Sequence, residues 1–269
     1  MAEPTPHGRD TYDLDEVTPL TPALPGLVSV ARTRDQLLDA VAADLIVHAK
    51  NCVRTFGDVH IALSGGSTPL PLYERLMYDP NLRSFPWTRT HLWIVDERCV
   101  PFDDSRSNFG HIKDIVVDHS GIPTEQVHPM MATHPDADAL YENELREHLG
   151  WREKGQDRLD WVVLGMGDDG HTASLFPHHE ALDETVRLVR KCTGPFVTPP
   201  DRVTMTYPLI NSARFIAIMV TGAAKAPTIA RIARGNPDPH ELPITAIRPL
   251  AGELKWYLDA DAAVSPITL

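Results

Sequence analysis

Four short apolar runs, each ending in a polar and usually glycine-containing turn, constrain the fold of this chain more than any other feature. The runs occupy residues 59–66, 91–97, 161–170 and 215–222. Short runs rich in β-branched and aromatic residues, apolar on both faces, are typical of strands buried inside a parallel sheet. Helical patterns lie around and between them, at residues 35–53, 69–77, 107–117, 137–149 and 223–233. The alternation of strand and helix predicts a layered α/β domain.

All four runs end in unusual polar residues, which therefore share one edge of the predicted sheet. Sheets of this kind bind ligands in the crevice beyond the carboxyl ends of their strands. We therefore collect the polar residues that follow the four runs into one candidate site.

Charge and composition restrict the classes of partner. The 269 residues carry a net charge of −12, which argues against nucleic acid or an anionic membrane as the main partner. No stretch approaches the roughly 20 apolar residues that cross a bilayer, and the N-terminus lacks a signal pattern. The 3 cysteines leave one unpaired in any disulfide scheme, which favours a reducing, cytoplasmic location.

The N-terminal residues differ in composition from the rest of the chain. Residues 1–26 are acidic, rich in proline and poor in apolar side chains. We predict a flexible extension there, followed by a single α/β domain at residues 27–269.

The turn after the first run has features of an anion-binding loop. Ser64, Gly65, Gly66 and Ser67 follow a predicted strand and lead into a helix whose first position suits Pro69. The glycines allow a ligand close to the backbone, and a helix N-terminus presents free amides to phosphate. The P-loop lysine and the GxGxxG pattern are both missing, which argues against a nucleotide triphosphatase or a typical dinucleotide fold. A tight turn without a ligand is the alternative.

Two cations are candidates for additional phosphate contacts. Lys225 lies about one turn into the helix after the fourth run, where its flexible ammonium can reach a phosphate. Arg202 opens another apolar stretch and can offer a forked contact. A solvated lysine and a salt-bridged surface arginine are the alternatives.

The glycine-rich turn at residues 165–177 contains the best candidate for acid–base chemistry. His171 follows a strand closely and can accept and return a proton near neutral pH. A carboxylate can fix its tautomer, and both Asp169 and Asp168 are candidates, with Asp169 preferred. A metal site is the rival interpretation. The chain lacks HExxH, and His178 and His179 have no partner at ligand spacing, so we predict no metal.

Asp96, Glu97 and Arg98 end the second run, where unpaired burial of charge would be expensive. Their position at the crevice favours ligand contacts for Asp96 and Arg98. Strand alternation turns Glu97 the opposite way, which favours a structural role. Ser64 and Ser67 do not lie in a GxSxG elbow, so water is the expected nucleophile.

Six segments resemble those of the 6-phosphogluconolactonase family and follow one another in the family's order. They are residues 62–69, 95–101, 107–108, 165–177, 202–206 and 220–226. The resemblance extends from about residue 27 to residue 259. It implies a Rossmann-like, mostly parallel sheet flanked by helices, shared with glucosamine-6-phosphate deaminases and ribose-5-phosphate isomerases. It also implies hydrolysis of 6-phospho-D-glucono-1,5-lactone in the oxidative pentose phosphate pathway, without a cofactor. Separately from the resemblance, we expect a monomer.

The resemblance also assigns roles to individual residues. The phosphate end of the substrate would be held by Gly65, Gly66, Ser67, Arg202 and Lys225. His171 would activate water and then protonate the departing ring oxygen, with Asp169 orienting it. Asp96 and Arg98 would contact the sugar acid, and Arg98 is expected to stabilise negative charge developing on oxygen.

Two alternatives are kept. A glucosamine-6-phosphate deaminase or isomerase shares the phosphate loop and the histidine turn, but it typically carries a further acid after the histidine and an aromatic residue in place of Arg98. Residues 172–177 contain no acid. A non-catalytic sugar-phosphate sensor, as in a transcriptional regulator, would be expected to carry a basic DNA-binding segment, whereas the N-terminal extension is acidic.

Overall fold

The structure, a computed structural model, describes residues 21–150, 157–195, 197–235 and 237–263. The strands are β1 Leu27–Ala31, β2 Val59–Leu63, β3 Thr90–Ile94, β4 Asp96–Arg98, β5 Val127–His128, β6 Trp161–Leu164, β7 Val189–Thr193, β8 Asp201–Met205, β9 Phe215–Val220 and β10 Glu253–Asp259. The helices are α1 Arg34–Phe56, α2 Leu70–Tyr78, α3 Asn108–Ile112, α4 Asp118–Ser120, α5 Ala137–Gly150, α6 Tyr207–Ile210, α7 Ala226–Ala233 and α8 Ala260–Ala263.

Seven strands form the central sheet in the order β1-β10-β9-β6-β2-β3-β5, and every neighbouring pair is parallel. Helices pack against it, among them α1, which contacts β1, β2, β6 and β10. The predicted α/β class with a mostly parallel central sheet is confirmed.

The strand order reverses between β2 and β6. The chain first proceeds from β2 outward to β3 and β5, and then crosses back to place β6 on the other side of β2. The loops that follow these two strands diverge at such a reversal and leave a crevice between them. The topology therefore brings the predicted phosphate loop and the predicted histidine turn to the same place.

Burial on both faces of the sheet explains why the central strands are largely apolar. Every residue of β2, β6 and β9 is buried, as expected for strands covered on both faces. Local signals delimit α1: the Thr33 side chain accepts a hydrogen bond from Gln36 N at its start, and Gly57 ends it in the left-handed conformation at φ 93°.

The second apolar run is not one strand, contrary to the sequence pattern. Strand β3 ends at Ile94, and β4 joins a small antiparallel sheet of order β4-β8-β7, which the pattern did not predict. Val95 is the junction: its N–H donates to Leu63 O in the main sheet at 3.0 Å, while its carbonyl accepts from Met205 N at 2.8 Å. The charged end of the run is thereby turned out of the parallel sheet.

Three of the predicted helices differ in detail from the helices of the structure. Helix α2 begins at Leu70 rather than at residue 69, because Pro69 is its N-cap and no side chain caps it. The predicted helix at 107–117 continues from α3 into a π-helical turn, Lys113–Val117. The helix predicted at 223–233 starts as a 3-10 turn, Ala223–Lys225, before α7.

Most of the predicted N-terminal extension lies outside the described residues. Of the part that is described, Pro25 accepts a hydrogen bond from Trp256 Nε1 at 2.8 Å, so the chain contacts the domain before β1 begins. Among the described residues, no helix combines the length and the apolar character needed to span a bilayer.

Candidate active site

A cleft of about 350 Å³ lies at the strand-order reversal, beyond the carboxyl ends of the central strands. Loops that follow β2, β6 and β9, together with residues of β4, form its walls. The predicted site residues that line it are Ser64, Gly65, Gly66, Ser67, Asp96, Arg98, His171 and Lys225. Segments from distant parts of the chain thus converge on one crevice.

A histidine–carboxylate pair projects from the loop after β6. His171 Nδ1 lies 2.6 Å from Asp169 Oδ1, and the same oxygen accepts from His171 N at 3.1 Å. Burial alone would raise the pKa of Asp169, but the hydrogen bonds and charge of His171 outweigh it, so the pKa is lowered. With Asp169 ionised, Nδ1 carries the proton and Nε2 keeps a lone pair. The pair has the geometry of a general base with its orienting acid.

Asp168 contacts a different partner from Asp169. Its carboxylate lies 2.5 Å from Lys225 Nζ, and its main-chain carbonyl accepts from Thr228 Oγ1 at 2.5 Å. The structure therefore brings Asp169, and not Asp168, onto His171. Asp168 instead positions the predicted phosphate-binding lysine at the cleft.

Glycine is required at position 167 by the close approach of the histidine ring. A Cβ atom built there would lie 2.1 Å from His171 Nδ1 and 2.5 Å from Asp169 Oδ1. The turn is closed by the hydrogen bond from Gly167 N to His171 O at 2.8 Å. The imidazole therefore packs directly on backbone, which fixes its direction.

The loop after β2 is held by an arginine of helix α1, and several of its main-chain amides have no acceptor among the described residues. Arg34 Nη2 donates to Ser67 O at 2.6 Å, and Gly66 has φ 99°, a conformation suited to glycine. Among the described residues, the N–H groups of Gly66, Ser67 and Thr68 have no protein acceptor. These amides lie at the cleft, before the start of α2, where an anion would satisfy them.

Ser64 supports this loop through buried contacts. Its hydroxyl donates to Val163 O at 2.7 Å, and its carbonyl accepts from Tyr73 Oη at 2.7 Å. The first contact ties the end of β2 to β6 and the second ties it to α2. Ser64 therefore lines the cleft with its hydroxyl already engaged.

Sequence reasoning gave no role to Asn108, which lines the same cleft. The Asn108 side chain occupies the space that a Cβ on Gly65 would need, with Oδ1 only 1.9 Å from that position. Its Nδ2 donates to Asp96 O at 2.7 Å, so it joins the glycine loop to β4. The one signal for Asn108 in the sequence was its place in residues 107–108, a segment that resembles the family.

Glu97 faces away from the cleft, as strand alternation predicts. It is fully buried and accepts from Arg98 N, Asn108 N, Ser107 Oγ and Phe109 N at 2.7–2.9 Å. These donors include the first amides of α3, so the carboxylate complements the partial positive charge of the helix N-terminus. Glu97 thus anchors α3, and with it Asn108, behind the cleft.

Asp96 and Arg98 face the cleft from β4. Asp96 Oδ2 accepts from Ser174 Oγ at 2.7 Å, which links β4 to the histidine turn. Arg98 Nη1 donates to Arg106 O at 2.5 Å. Arg98 keeps further guanidinium donors for a ligand, since a guanidinium carries five.

Arg202 is the predicted site residue that lines another cavity. It lies opposite Arg98 in the β4–β8 ladder, but its guanidinium donates to the carbonyls of Pro199 and Asp201. The side chain lines a neighbouring cavity of about 460 Å³. Burial lowers the pKa of Arg202, and the nearby positive charge of Arg98 adds to this effect.

Side chains whose ligand atoms lie close enough together to bind a metal ion are found away from the cleft. Within the described ranges, two groups of three side chains have ligand atoms close enough to share an ion: His91, His128 and His148, and Asp58, His60 and His91. None of these residues lines the cleft. The cleft residues therefore offer an anion site and an acid–base pair.

Comparison with known proteins identifies the family of the chain. Residues 32–256 match the family described as glucosamine-6-phosphate isomerases/6-phosphogluconolactonase. The chain belongs to this family. Every cleft segment described above falls within the matched range.

Individual relatives within or beside this family are similar over most of the chain. A 6-phosphogluconolactonase from Synechocystis is 37% identical over 238 residues, covering 87% of this chain and 96% of the relative. The human GDH/6PGL endoplasmic bifunctional protein is 38% identical over 87% of this chain, which spans only 30% of that protein's length. The crystal structure of 6-phosphogluconolactonase from Thermotoga maritima superposes with a TM-score of 0.73 at 28% identity, covering 87% of this chain and 99% of the other.

Proposed function

We propose that this chain hydrolyses 6-phospho-D-glucono-1,5-lactone to 6-phospho-D-gluconate, as a 6-phosphogluconolactonase of the oxidative pentose phosphate pathway. The observation that carries the proposal is the cleft shared by His171, Lys225 and the loop containing Gly66, with Asp169 bonded to His171. A base and an anion site in one cleft suit a substrate that carries both an ester carbon and a phosphate.

The reaction uses water as the nucleophile. His171 Nε2 accepts a proton from water as the oxygen attacks the lactone carbonyl carbon. The carbonyl oxygen becomes negatively charged, and Arg98 stabilises it. The bond from the carbonyl carbon to the ring oxygen then breaks, and His171 returns its proton to that oxygen. Asp169 keeps the imidazole in the required tautomer throughout.

The phosphate binds at the glycine loop that follows β2. The free amides of Gly66, Ser67 and Thr68 donate to its oxygens, and Lys225 adds a positive charge. Lys225 already lies 2.5 Å from Asp168, so it exchanges or shares this partner when phosphate arrives. Arg202 contributes to the phosphate site only if its guanidinium leaves the carbonyls that it now contacts.

The deaminase alternative is disfavoured by the segment after His171. Residues 172–177 carry no carboxylate, and Ser174 of this segment is directed to Asp96. The sensor alternative does not account for a histidine that packs on Gly167 with an orienting acid, an arrangement suited to proton transfer.

The decisive experiment measures proton release in weakly buffered solution. Freshly prepared 6-phosphogluconolactone should acidify the solution faster with the protein than without it, because the acid product ionises. Glucosamine 6-phosphate should release no ammonia under the same conditions. Ammonia release, or a rate equal to spontaneous opening, would refute the proposal. The expected monomer and its cytoplasmic location belong to the same proposal, and light scattering of the purified protein tests the monomer.

A further inference from the structure

Four histidines converge on one face of the central sheet, toward the amino ends of its strands. His60 on β2 lies opposite His91 on β3, and Trp93 on β3 lies opposite His128 on β5. His91 and Trp93 are two residues apart, so both point to the same face. The parallel register therefore places the three strand histidines side by side.

Helix α5 covers this face and brings the fourth histidine. Tyr141, Glu144 and His148 are spaced by three and four residues, so they share one face of the helix. Tyr141 packs edge-on against Trp93, with ring centroids 5.7 Å apart. This contact directs the Glu144 and His148 side chains toward the strand histidines.

The ring nitrogens lie at distances that suit a shared ion. His91 Nδ1 and His128 Nε2 are 3.0 Å apart, and ligand atoms of His91, His128 and His148 all lie within 4.8 Å of one another. Zinc–nitrogen bonds of about 2.0–2.1 Å at tetrahedral angles require nitrogens roughly 3.3 Å apart. Small side-chain rotations therefore convert this cluster into a three-histidine site.

We propose that His91, His128 and His148 bind a divalent transition-metal ion of the zinc class. The histidine cluster, defined as these three residues, draws its ligands from β3, β5 and α5. Bound metal would fasten α5 to the edge of the sheet, with one tetrahedral position left for solvent. His91 and His148 are partly exposed, which gives the ion a path from solution.

Glu144 completes the site as an orienting partner. Its Oε1 lies 2.6 Å from His128 Nδ1, so His128 donates there and turns the lone pair of Nε2 toward the ion. Metal-binding histidines commonly have such a carboxylate on the other ring nitrogen. Burial lowers the pKa of His128, although Glu144 acts against this, and the neutral ring is the form that binds metal.

Metal binding requires a change of tautomer at His91. Because His128 donates through Nδ1, its Nε2 accepts the proton that His91 Nδ1 carries in the metal-free protein. When the ion takes the lone pairs of both nitrogens, the proton of the neutral His91 ring moves from Nδ1 to Nε2. Neutral rings therefore bind the ion without net release of a proton.

The second group of ligand atoms, from Asp58, His60 and His91, is less suited to an ion. His60 Nδ1 accepts from Trp93 Nε1 at 3.0 Å, and its ring stacks on His91 with centroids 4.3 Å apart. His60 Nε2 is still 3.9 Å from Asp58 Oδ2. These contacts give His60 a packing role beside the cluster.

The cluster is separate from the cleft. His60, its neighbour on β2, precedes Ser64 by four residues, or roughly 13 Å along a strand at about 3.3 Å per residue. Metal bound there does not touch the reacting groups. Failure of the metal proposal would therefore leave the proposed lactone hydrolysis unaffected, and the converse also holds.

Zinc binding to chelator-treated full-length protein tests the proposal. Calorimetric titration with Zn²⁺ should give one site per chain, and Zn²⁺ should raise Tm. Co²⁺ should give the visible absorption of a tetrahedral complex. His148→Ala should abolish the binding of Zn²⁺ and the Co²⁺ absorption. Glu144→Gln should weaken Zn²⁺ binding about tenfold to a hundredfold.

Two matched variants identify the site. His119→Ala removes an exposed histidine outside the cluster, and His171→Ala removes the histidine of the cleft. Both should keep the zinc site, while His148→Ala should keep normal lactone turnover, which shows that it folds. Absence of zinc binding in the parent protein, or binding lost with His171→Ala and kept with His148→Ala, would overturn the proposal.

Discussion

The cleft and the histidine cluster lie toward opposite ends of the same strands, yet they are assembled in different ways. Much of the cleft is lined by continuous loops, such as residues 64–69 and 165–173, that leave the carboxyl end of a strand. The cluster instead takes single residues from β3, β5 and α5, joined through strand register and helix spacing.

This difference affects how each region should tolerate change. A continuous loop keeps its internal geometry when its backbone is preserved, as in the contact of Gly167 with His171. A cluster built from three elements depends on how those elements pack, so its ligand distances change with any shift of α5. Substitutions in the cleft should therefore alter catalysis, and substitutions in the cluster should alter stability or metal binding.

The largest effect is expected from His171→Ala. The variant loses the group that moves protons to and from the substrate, so kcat should fall by about 10²–10⁴. Affinity for 6-phosphogluconate should change little, because the phosphate site is intact. Stopped-flow proton release with an enzyme-free control measures the rate. Equal turnover in His171→Ala and His148→Ala would contradict the division between cleft and cluster.

A smaller loss is expected from Gly167→Ala, which adds one methyl group beneath the imidazole. The new Cβ would lie 2.1 Å from His171 Nδ1 and 2.5 Å from Asp169 Oδ1, so the ring and the carboxylate must both shift. Misplacement by about 1 Å can cost a hundredfold in kcat. Gly150→Ala is the control, since a Cβ there meets nothing within 4 Å and Gly150 lies outside the cleft. Similar kcat in the two variants would show that the ring position does not depend on Gly167.

The two regions also differ in how far they could be predicted from the sequence. The loops with Gly65, Gly66 and His171 were predictable because turn chemistry and neighbouring residues are contiguous. The contact between Asn108 and Gly65 was not, since it depends on where α3 packs. The antiparallel sheet was missed because Val95 looks like a continuation of β3 in the apolar pattern.

The histidine cluster was beyond prediction for the same physical reason. His91 and His128 are 37 residues apart, and only the strand order places β3 beside β5. No short spacing connects them to His148. The orientation of Arg202 toward main-chain carbonyls likewise follows from tertiary packing, which its local sequence does not encode.

Lys225→Ala should affect binding more than turnover. The ammonium is proposed to contact the phosphate, and a charge-assisted contact is worth about 1.5–3 kcal/mol, so KM should rise about tenfold to a hundredfold. Lys113→Ala is the control, because Lys113 also pairs with an aspartate, Asp118 at 2.7 Å, but lies outside the cleft. An unchanged preference for the phosphorylated over the plain lactone would remove Lys225 from the phosphate site.

The smallest expected effect is on the pH dependence of the free energy of unfolding, which distinguishes the cluster from the cleft. Burial lowers the pKa of His128 below its ordinary 6.5, so the unfolded chain binds more protons than the folded chain as pH falls toward and below 6.5. The free energy of unfolding should therefore decrease on acidification, by at most about 1.4 kcal/mol per pH unit for one proton. Asp169, whose lowered pKa lies below 3.8, loses its contribution only in stronger acid.

His128→Gln should flatten this slope, because glutamine does not titrate. Urea unfolding of metal-free protein between pH 5.5 and 8 measures the free energy, and groups that titrate in both proteins cancel in the difference between slopes. His48, whose pKa burial also lowers, keeps part of the slope in the variant. Identical slopes would mean that His128 has the same proton affinity in the folded and unfolded chains, whereas a flattened slope with unchanged lactone turnover assigns the effect to the cluster and not to the cleft.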